Sequence, residues 1–217
     1  MRDLRRLWPQ ALAIALVMAA GAATLVLGIG AHGSLAETRA AYYERNRFAD
    51  VFADLTRAPK AVADDIARIP GVAAVEARVA KIALLDLPDV AEPASAMFVS
   101  LPDLKEQTLD LLHLRSGRLP LAGDEHEVVV SEPFATAHNY AIGSTFQAIL
   151  NGRKRTLRIV GTALSPEFIY ALGPGELMPD DRRFGVAWMR EKPLAAAYDL
   201  TGAFSSVHLA LTRAASE

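Results

Sequence analysis

The stretch Trp8–Gly30, WPQALAIALVMAAGAATLVLGIG, carries no charged side chain and is the strongest single constraint on the fold. It lies within the 30 residues Leu7–Ala36, which include no Lys, Arg, Asp or Glu. As an α-helix, its 23 residues would extend roughly 35 Å and cross the ~30 Å hydrocarbon core of a bilayer. We therefore predict that residues 1–33 form a short cytoplasmic N-terminus and a transmembrane helix.

The charges before this stretch predict its orientation. Arg2, Arg5 and Arg6 outweigh Asp3, so the N-terminus has a local charge of +2. The positive-inside rule keeps such an end in the cytoplasm, which places the rest of the chain outside. A cleaved signal peptide is the alternative, with small residues for cleavage at 31–33, although the apolar stretch exceeds the ~7–15 residues of a signal sequence.

Small residues recur on one face of the predicted helix. Ala11, Ala15, Ala19 and Ala23 follow i, i+4 spacing, and such stripes let helix backbones approach closely in lipid. We predict that these four alanines pack against another membrane helix. A chance product of an alanine-rich composition is the alternative.

The residues after the apolar stretch contain two local motifs. Gly28–Gly33 matches G-x-G-x-x-G, but a dinucleotide site needs this motif between a strand and a helix. We interpret it instead as a flexible exit from the membrane. Ser34–Glu37 has the S-x-x-E form of a capping box, which predicts a helical stalk over residues 34–47 after a glycine hinge.

Composition excludes several classes of protein. The chain has 217 residues, a net charge of −2 and a mean hydropathy of +0.19, with 52% hydrophobic and 22% charged residues. A disordered chain would be less hydrophobic and more highly charged, and a nucleic-acid-binding protein normally carries a basic excess. The absence of cysteine excludes disulfides, thiolate metal sites and a cysteine nucleophile.

Beyond the stalk, the sequence pattern predicts an α+β fold. Strands are predicted at 49–55, 75–87, 96–101 and 206–211, and a helix that begins at Pro59, presents Val62, Ile66 and Ile69 on one face and ends at Pro70-Gly71. Since strand, helix and strand follow in that order, we predict a βαβ-type layer built from residues 48–115 and 186–213.

The sequence pattern changes in the middle of the chain. Two apolar-rich runs, Thr145–Leu150 and Arg153–Val160, flank Asn151-Gly152, which predicts a hairpin with a type I′ turn. A strand is predicted at Glu127–Val130, and the Pro- and Gly-rich residues 165–185 are predicted to be an ordered loop. The sequence thus predicts one transmembrane helix followed by a two-subdomain extracytoplasmic domain, in which residues 116–185 form an inserted β-rich subdomain.

Catalytic and metal-binding motifs are mostly missing. The five histidines have no metal-ligand spacing, so we predict no metal site, no cofactor and no enzymatic activity. Ser131 ends a predicted strand, and His138 follows seven residues later, so this pair could serve a hydrolase; the same position is what a helix cap requires. A basic group is predicted to protect an exposed edge strand; it consists of Arg153, Lys154, Arg155 and Arg158.

Six stretches beyond the apolar helix carry a family resemblance. They are Tyr42–Phe52 (YYERNRFADVF), Arg118–Pro120 (RLP), Glu127–Glu132 (EVVVSE), Asn151–Arg153 (NGR), Ile159–Gly161 (IVG) and Ser165–Tyr170 (SPEFIY). Together with an N-terminus in the cytoplasm, they resemble FtsX/MacB-type permeases of ABC transporters. The resemblance covers the first membrane helix and the large domain that follows it.

This resemblance implies a permease of the bacterial inner membrane with a periplasmic domain of two subdomains. Such permeases have four membrane helices, pair as homodimers or heterodimers and work with an ABC ATPase. ATP-driven closure of the membrane helices is relayed to the periplasmic domain, which handles lipoproteins, peptides, drugs, cell-wall hydrolases or an adaptor protein. The sequence departs from the family at Glu217, before any second membrane helix, so we expect a fragment of a longer permease.

Two classes of function follow from the sequence. The first is a mechanical and recognition domain in which the stalk helix acts as a lever; a bare scaffold would differ only in lacking an ATPase. The second is a single-pass, membrane-tethered hydrolase that uses Ser131 and His138.

Overall fold

A computed structural model describes residues 2–87 and 92–215. The chain divides into two compact units between Arg45 and Asn46. The first unit is a single helix, and the second is a mixed α+β domain.

Helix α1 runs from Arg2 to Arg45 without interruption. Its segment Leu12–Ala31 has a mean hydropathy of 2.4 and is long and apolar enough to cross a membrane. Because glycine in a helix costs only about 1 kcal/mol relative to alanine, whereas unpaired backbone groups in lipid cost several, the glycines do not break the helix.

The predicted glycine hinge and the predicted cap at Ser34 are therefore both wrong. Ser34 lies inside α1, where its carbonyl accepts a hydrogen bond of 2.7 Å from Thr38 Oγ1 one turn later. The segment predicted as a separate stalk continues the same helix.

The second unit contains ten strands and three short α-helices among its described residues. The strands are β1 (Val51–Pro59), β2 (Val72–Arg78), β3 (Ala80–Asp86), β4 (Ala94–Leu101), β5 (His113–Gly117), β6 (Glu127–Ser131), β7 (Thr145–Leu150), β8 (Arg153–Leu164), β9 (Phe184–Arg190) and β10 (Ala203–Leu211). The helices are α2 (Lys60–Ala67), α3 (Glu132–Ala137) and α4 (Glu191–Ala197), with a 3-10 helix at Pro166–Phe168.

The smaller sheet has the antiparallel order β1-β10-β2. Helix α2 lies against this sheet, yet none of the residues of α2 is buried. Val62 and Ile69, predicted to share one face of this helix, are 38% and 52% exposed, and Ile69 lies beyond the end of α2. Residues 50 and 209 lie side by side, because Asp50 N donates to Leu209 O at 2.8 Å.

The larger sheet has seven strands in the order β5-β8-β6-β9-β4-β3-β7, and β7 also pairs with β8. Six strands therefore close into a ring, β8-β6-β9-β4-β3-β7, and β5 adds to the far end of β8. Closure depends on the length of β8: its first half pairs with β7, and its second half pairs with β6 and β5.

The predicted boundaries at residues 116 and 185 do not separate the sheets. Strands β3 and β4, which precede residue 116, lie in the same sheet as β5 to β8. Strand β9 joins them through a parallel ladder from Ser95↔Phe184 to Leu101↔Arg190. All but the last residue of β9 are buried, so the strand lacks the apolar–polar alternation by which strands are recognised in a sequence.

Two apolar cores lie on the two faces of the larger sheet. The first receives side chains from all six strands of the ring and is capped by Phe134 of α3 and Leu194 of α4. The second contains Trp188 and Val160, and Phe168 packs against it. A bulge in β8, between the pairs Val128↔Ile159 and Val129↔Gly161, shifts the alternation of its side chains, so that Val160 and Ala163, three residues apart, both reach the second core.

The predicted hairpin is confirmed. β7 and β8 pair from Leu150↔Arg153 to Thr145↔Arg158, and Asn151 and Gly152 have φ values of 48° and 76°, as a type I′ turn requires. However, β8 is not an edge strand. Most of its cations are neutralised by acids, in the ion pairs Lys154–Asp86, Arg155–Glu125 and Arg158–Glu127.

Gly117 offers a test of how closely β5 approaches β8. It has φ +77°, and an added Cβ would lie 2.2 Å from Val160 O. Gly123 has φ +85° but open space around it. Gly123→Ala should cost about 1–2 kcal/mol of unfolding free energy from backbone strain. Gly117→Ala should cost a further ~1–3 kcal/mol, because the backbone must move.

Urea unfolding of the full chain in detergent, followed by the fluorescence of buried Trp188 in a Trp8→Phe background, measures both variants. Equal effects of the two substitutions would contradict the close approach of β5 to β8.

Candidate functional site

A cluster of charged residues lies buried between the smaller sheet and two loops. Strand β2 contributes Glu76 and Arg78, β10 contributes His208, the 102–112 loop contributes Asp110, and the 3-10 helix contributes Glu167. We call these five residues the charged cluster. Glu76, Arg78 and His208 share one face of the smaller sheet, because residues i and i+2 of a strand point the same way and His208 pairs with Glu76.

Arg78 is the cation at the centre of the cluster. Its Nη2 lies 2.9 Å from Glu167 Oε2 and 3.3 Å from Asp110 Oδ2, and its side chain is 3% exposed. The same nitrogen lies 2.8 Å from His208 Nε2. Burying a guanidinium is costly unless carboxylates pair with it, so Arg78 holds the two loops against the sheet.

Asp110 and His208 form the second part of the cluster. His208 Nδ1 lies 2.6 Å from Asp110 Oδ2 and also contacts Arg78 Nη2, and Ser206 Oγ lies 3.2 Å from His208 Nε2. The ring of Phe52 packs edge-on against the imidazole with centroids 4.4 Å apart. The imidazole is therefore fixed by contacts on all sides.

Backbone bonds place Asp110 beside the start of the domain. Its N–H donates to Arg47 O at 2.9 Å, its Oδ1 accepts from Ala49 N at 3.0 Å, and Leu111 N donates to Asn46 O at 2.8 Å. The residue has φ +50°, a conformation that Asp tolerates better than most residues. The first residues of the domain are thus tied to the charged cluster.

Glu76 accepts hydrogen bonds from backbone N–H groups of the 102–112 loop. Its Oε2 accepts hydrogen bonds from Thr108 N at 2.6 Å and Leu109 N at 2.7 Å. Burial raises the pKa of Glu76 above its usual range, against the lowering effect of these two bonds. Burial also raises the pKa of Glu167, although Arg78 and His208 act in the opposite direction.

Asp110, Glu167 and His208 could in principle surround a metal ion, since their ligand atoms lie within 4.8 Å of one another. However, the guanidinium of Arg78 already contacts all three. A metal ion would have to displace Arg78 and leave a buried guanidinium without partners. The residues fit an internal cation, Arg78, better than a metal ion.

The cluster also has the contact pattern of a Ser-His-Asp triad. The distances from Ser206 to His208 and from His208 to Asp110 fall in the range for nucleophilic catalysis. Ser206 is only 2% exposed, and Arg78 lies at the nitrogen that would have to take the proton. A substrate cannot reach Ser206 in this arrangement, so the geometry supports a structural role.

The structure does not join Ser131 and His138 into a catalytic pair. Ser131 occupies the N-cap position of α3, but its Oγ accepts a hydrogen bond from Val186 N at 3.3 Å instead of capping the helix. His138 Nε2 lies 3.0 Å from Arg182 O, and a nitrogen that donates to a carbonyl cannot accept a proton from serine. The predicted side-chain cap is wrong, and the hydrolase alternative is not favoured.

The alanine stripe lies on a helix, but its packing partner stays a prediction. Ala15, Ala19 and Ala23 are exposed on α1, and the side chain of Ala11 lies outside the described ones.

A buried carboxylate outside the charged cluster, Glu127, lies at the start of β6 in the ring. Its side chain is 1% exposed and accepts hydrogen bonds from Arg118 Nη1 at 2.6 Å, Arg158 Nη2 at 2.8 Å and Leu121 N at 2.9 Å. The hydrogen bonds from Arg118 are the largest cause that lowers the pKa of Glu127 to about 2. This carboxylate thus stays ionised at the start of β6.

Two solved structures are similar in fold to this chain. One is the extracellular domain of the noncanonic ABC-type transporter YknZ from Gram-positive bacteria, with a TM-score of 0.46 and 14% identity over 73% of this chain and 75% of that one. The other is the periplasmic region of MacB from Actinobacillus actinomycetemcomitans, with a TM-score of 0.43 and 16% identity over 71% of this chain and 65% of that one. No protein-family model and no curated protein matches the sequence.

Removing the central cation tests the role of the cluster. Arg78→Met should lower the free energy of unfolding by ~3–5 kcal/mol, because it leaves buried carboxylates unpaired. Arg115→Met is the matched control: Arg115 pairs with Glu132 at the surface, and its loss should cost less than about 1 kcal/mol. Urea unfolding compares the two variants.

The double variant Arg78→Met/Glu167→Gln should be more stable than Arg78→Met alone, since it also removes one unpaired charge. If Arg78→Met were no worse than Arg115→Met, the cluster would not hold the loops in place.

Glu127 gives a pH dependence of known sign. Because its pKa is lower in the folded chain than in the unfolded chain, its contribution to stability is full above pH 4.5 and is lost as the pH falls towards 2. Glu127→Gln should therefore flatten the fall in unfolding free energy between pH 4.5 and 2. Glu132→Gln, on an exposed ion pair, should leave that slope unchanged. Urea titrations across this pH range provide the measurement.

Proposed function

We propose that this chain is the extracytoplasmic portion of an ABC-transporter permease, anchored by α1 in the bacterial inner membrane with its N-terminus in the cytoplasm. In this proposal the domain relays ATP-driven motion of membrane helices to substrates or partners outside. An ABC ATPase and a second permease copy are the partners that this function requires, and a lipoprotein or a periplasmic adaptor would be handled outside.

The observation that carries this proposal is that the two ends of the domain lie side by side. Residues 50 and 51 pair with Leu209, and Leu211 N donates to Asp50 Oδ2 at 2.7 Å. A domain with adjacent ends can be inserted between two consecutive membrane segments without disturbing either. This is the position that the sequence resemblance implies.

The continuous helix supports the lever part of the proposal. Arg45, the last residue of α1, lies fourteen positions after Ala31, the last residue of the apolar segment, which is about 21 Å of helix. A helix transmits displacement along its axis better than a loop does. The residues that follow it, 46–49, are bonded to the loop that holds Asp110.

The charged cluster would then distribute this displacement. Asp110 receives the bonds from Arg47 and Ala49, and Arg78 connects Asp110 with Glu167 on the opposite loop. A pull on residues 46–49 would therefore move both loops together.

A pair of glycines in the exposed part of α1 tests the relay. Thr38→Gly/Arg39→Gly, in the complete permease with its ATPase, should leave ATP hydrolysis intact and abolish its effect on the domain, because two adjacent glycines soften the helix. Thr38→Ala/Arg39→Ala is the matched control and should preserve coupling.

Spin labels report the coupling without knowledge of the substrate. The chain contains no cysteine, and Leu104 of the 102–112 loop and Leu84 of β3 are 94% and 54% exposed, so Leu104→Cys and Leu84→Cys provide one attachment point on a moving loop and one on the ring. The distance between the labels should change on ATP binding in the alanine control and stay constant in the glycine variant. An equal change in both variants would contradict the lever.

A further inference from the structure

The charged cluster contains more acids than bases. Glu76, Asp110 and Glu167 carry three carboxyl groups, whereas Arg78 is the only permanent cation among them. If His208 is neutral and all three acids are ionised, the cluster holds two uncompensated negative charges in a buried place. Such a site favours the binding of protons, because burial penalises unpaired charge.

A proton on Glu167 removes one of these charges and leaves the rest of the cluster paired. Glu167 Oε2 lies 2.9 Å from Arg78 Nη2, and its Oε1 lies 3.8 Å from His208 Nε2. Asp110 Oδ2 still pairs with Arg78 at 3.3 Å when Glu167 is neutral.

Glu167 is the member of the cluster that can leave it. Its side chain is 18% exposed, against 0% for Asp110. It lies in a 3-10 helix of three residues, at the start of a segment without further regular structure until β9. Burial, and to a smaller extent repulsion from Asp110, raises the pKa of Glu167, and burial also raises that of Glu76.

We propose that the charged cluster is a proton-operated joint. Bound protons hold the 102–112 loop and the 165–171 segment against the smaller sheet, and loss of those protons expels Glu167 and loosens both. Because the 165–171 segment exposes Ile169 and Tyr170, the joint also controls the position of these two apolar side chains.

The groups that face the joint are few. Glu167 faces Arg78, Asp110 and His208, and Glu76 faces Arg78 and Asp110. Strand β1 adds the uncharged ring of Phe52, and β10 adds the hydroxyl of Ser206. These groups determine how stability changes with pH. An acid whose pKa is raised in the folded chain stabilises that chain fully below pH 4.5, and this stabilisation is lost as the pH rises through the folded pKa. This is opposite to the effect of Glu127 and occurs in a different pH range.

Hydrogen exchange of the full chain in detergent, corrected for intrinsic rates, tests the joint at pH 4.5 and pH 8. The amides of Asp110 and Leu111, which donate to Arg47 and Asn46, should be more protected at pH 4.5. One proton can change protection by at most tenfold per pH unit. The paired amides of β7 and β8 provide an internal reference that should not change.

Variants identify the groups responsible. Glu167→Gln keeps the shape of the side chain but cannot ionise. The protection of the amides of residues 110 and 111 from exchange should therefore depend less on pH. Glu76→Gln should act in the same direction. Glu125→Gln is the control, since Glu125 pairs with Arg155 at the surface and should leave the pH dependence unchanged. A full pH dependence in both cluster variants would overturn the proposal.

Equal protection of the wild type at both pH values would also overturn it. Where a variant fails to fold, carbon-13 titration of the wild-type carboxyl groups decides: a midpoint for Glu167 at or below pH 4.5 contradicts the joint, and a higher midpoint supports it. These measurements need no ATPase, so the joint can fail while the relay stands, and the reverse.

Discussion

The burial of one guanidinium, that of Arg78, is the constraint on which the arrangement of the domain depends. A buried cation requires carboxylates close by, and here they come from two loops that are 57 residues apart, at Asp110 and Glu167. Each loop is thereby fixed to the smaller sheet, and Asp110 in turn fixes the first residues of the domain. Replacing this network by apolar side chains would remove the positional information even where it kept the stability.

Closure of the larger sheet into a ring determines where its apolar side chains are buried. The apolar side chains of six strands need a common interior, and a ring provides it without a second sheet. Strand β8 makes this possible, since its 12 residues exchange one neighbour for another halfway along, and a bulge changes which face its side chains take. The second core, around Trp188, then lies outside the ring and under β5 and Phe168.

Much of the fold could be predicted from the sequence where local chemistry decides it. The apolar helix and the Asn151-Gly152 hairpin depend on residues that are neighbours in the chain. The sequence pattern does not predict strand β9, because this strand is buried on both faces. It does not predict the sheet boundaries either, because the pairing of β4 with β9 joins residues that are distant in the chain. The charged cluster is only weakly indicated by the sequence. Polar residues alternate along two strands, at Glu76 and Arg78 and at Ser206 and His208, and this is also the pattern of an exposed strand face.

The closed ring also limits how other chains could attach by strand addition. Among the described strands, only β1, β2 and β5 have an unpaired side. β1 ends at Pro59 and is irregular between Asp54 and Ala58. β2 has an extra residue, Ala73, between the pairs Ala210↔Ala74 and Leu211↔Val72. β5 is five residues long with a break between Leu114 and Ser116. Irregular and short edges resist intermolecular pairing. The domain can therefore stand at high local concentration beside copies of itself without polymerising through its backbone.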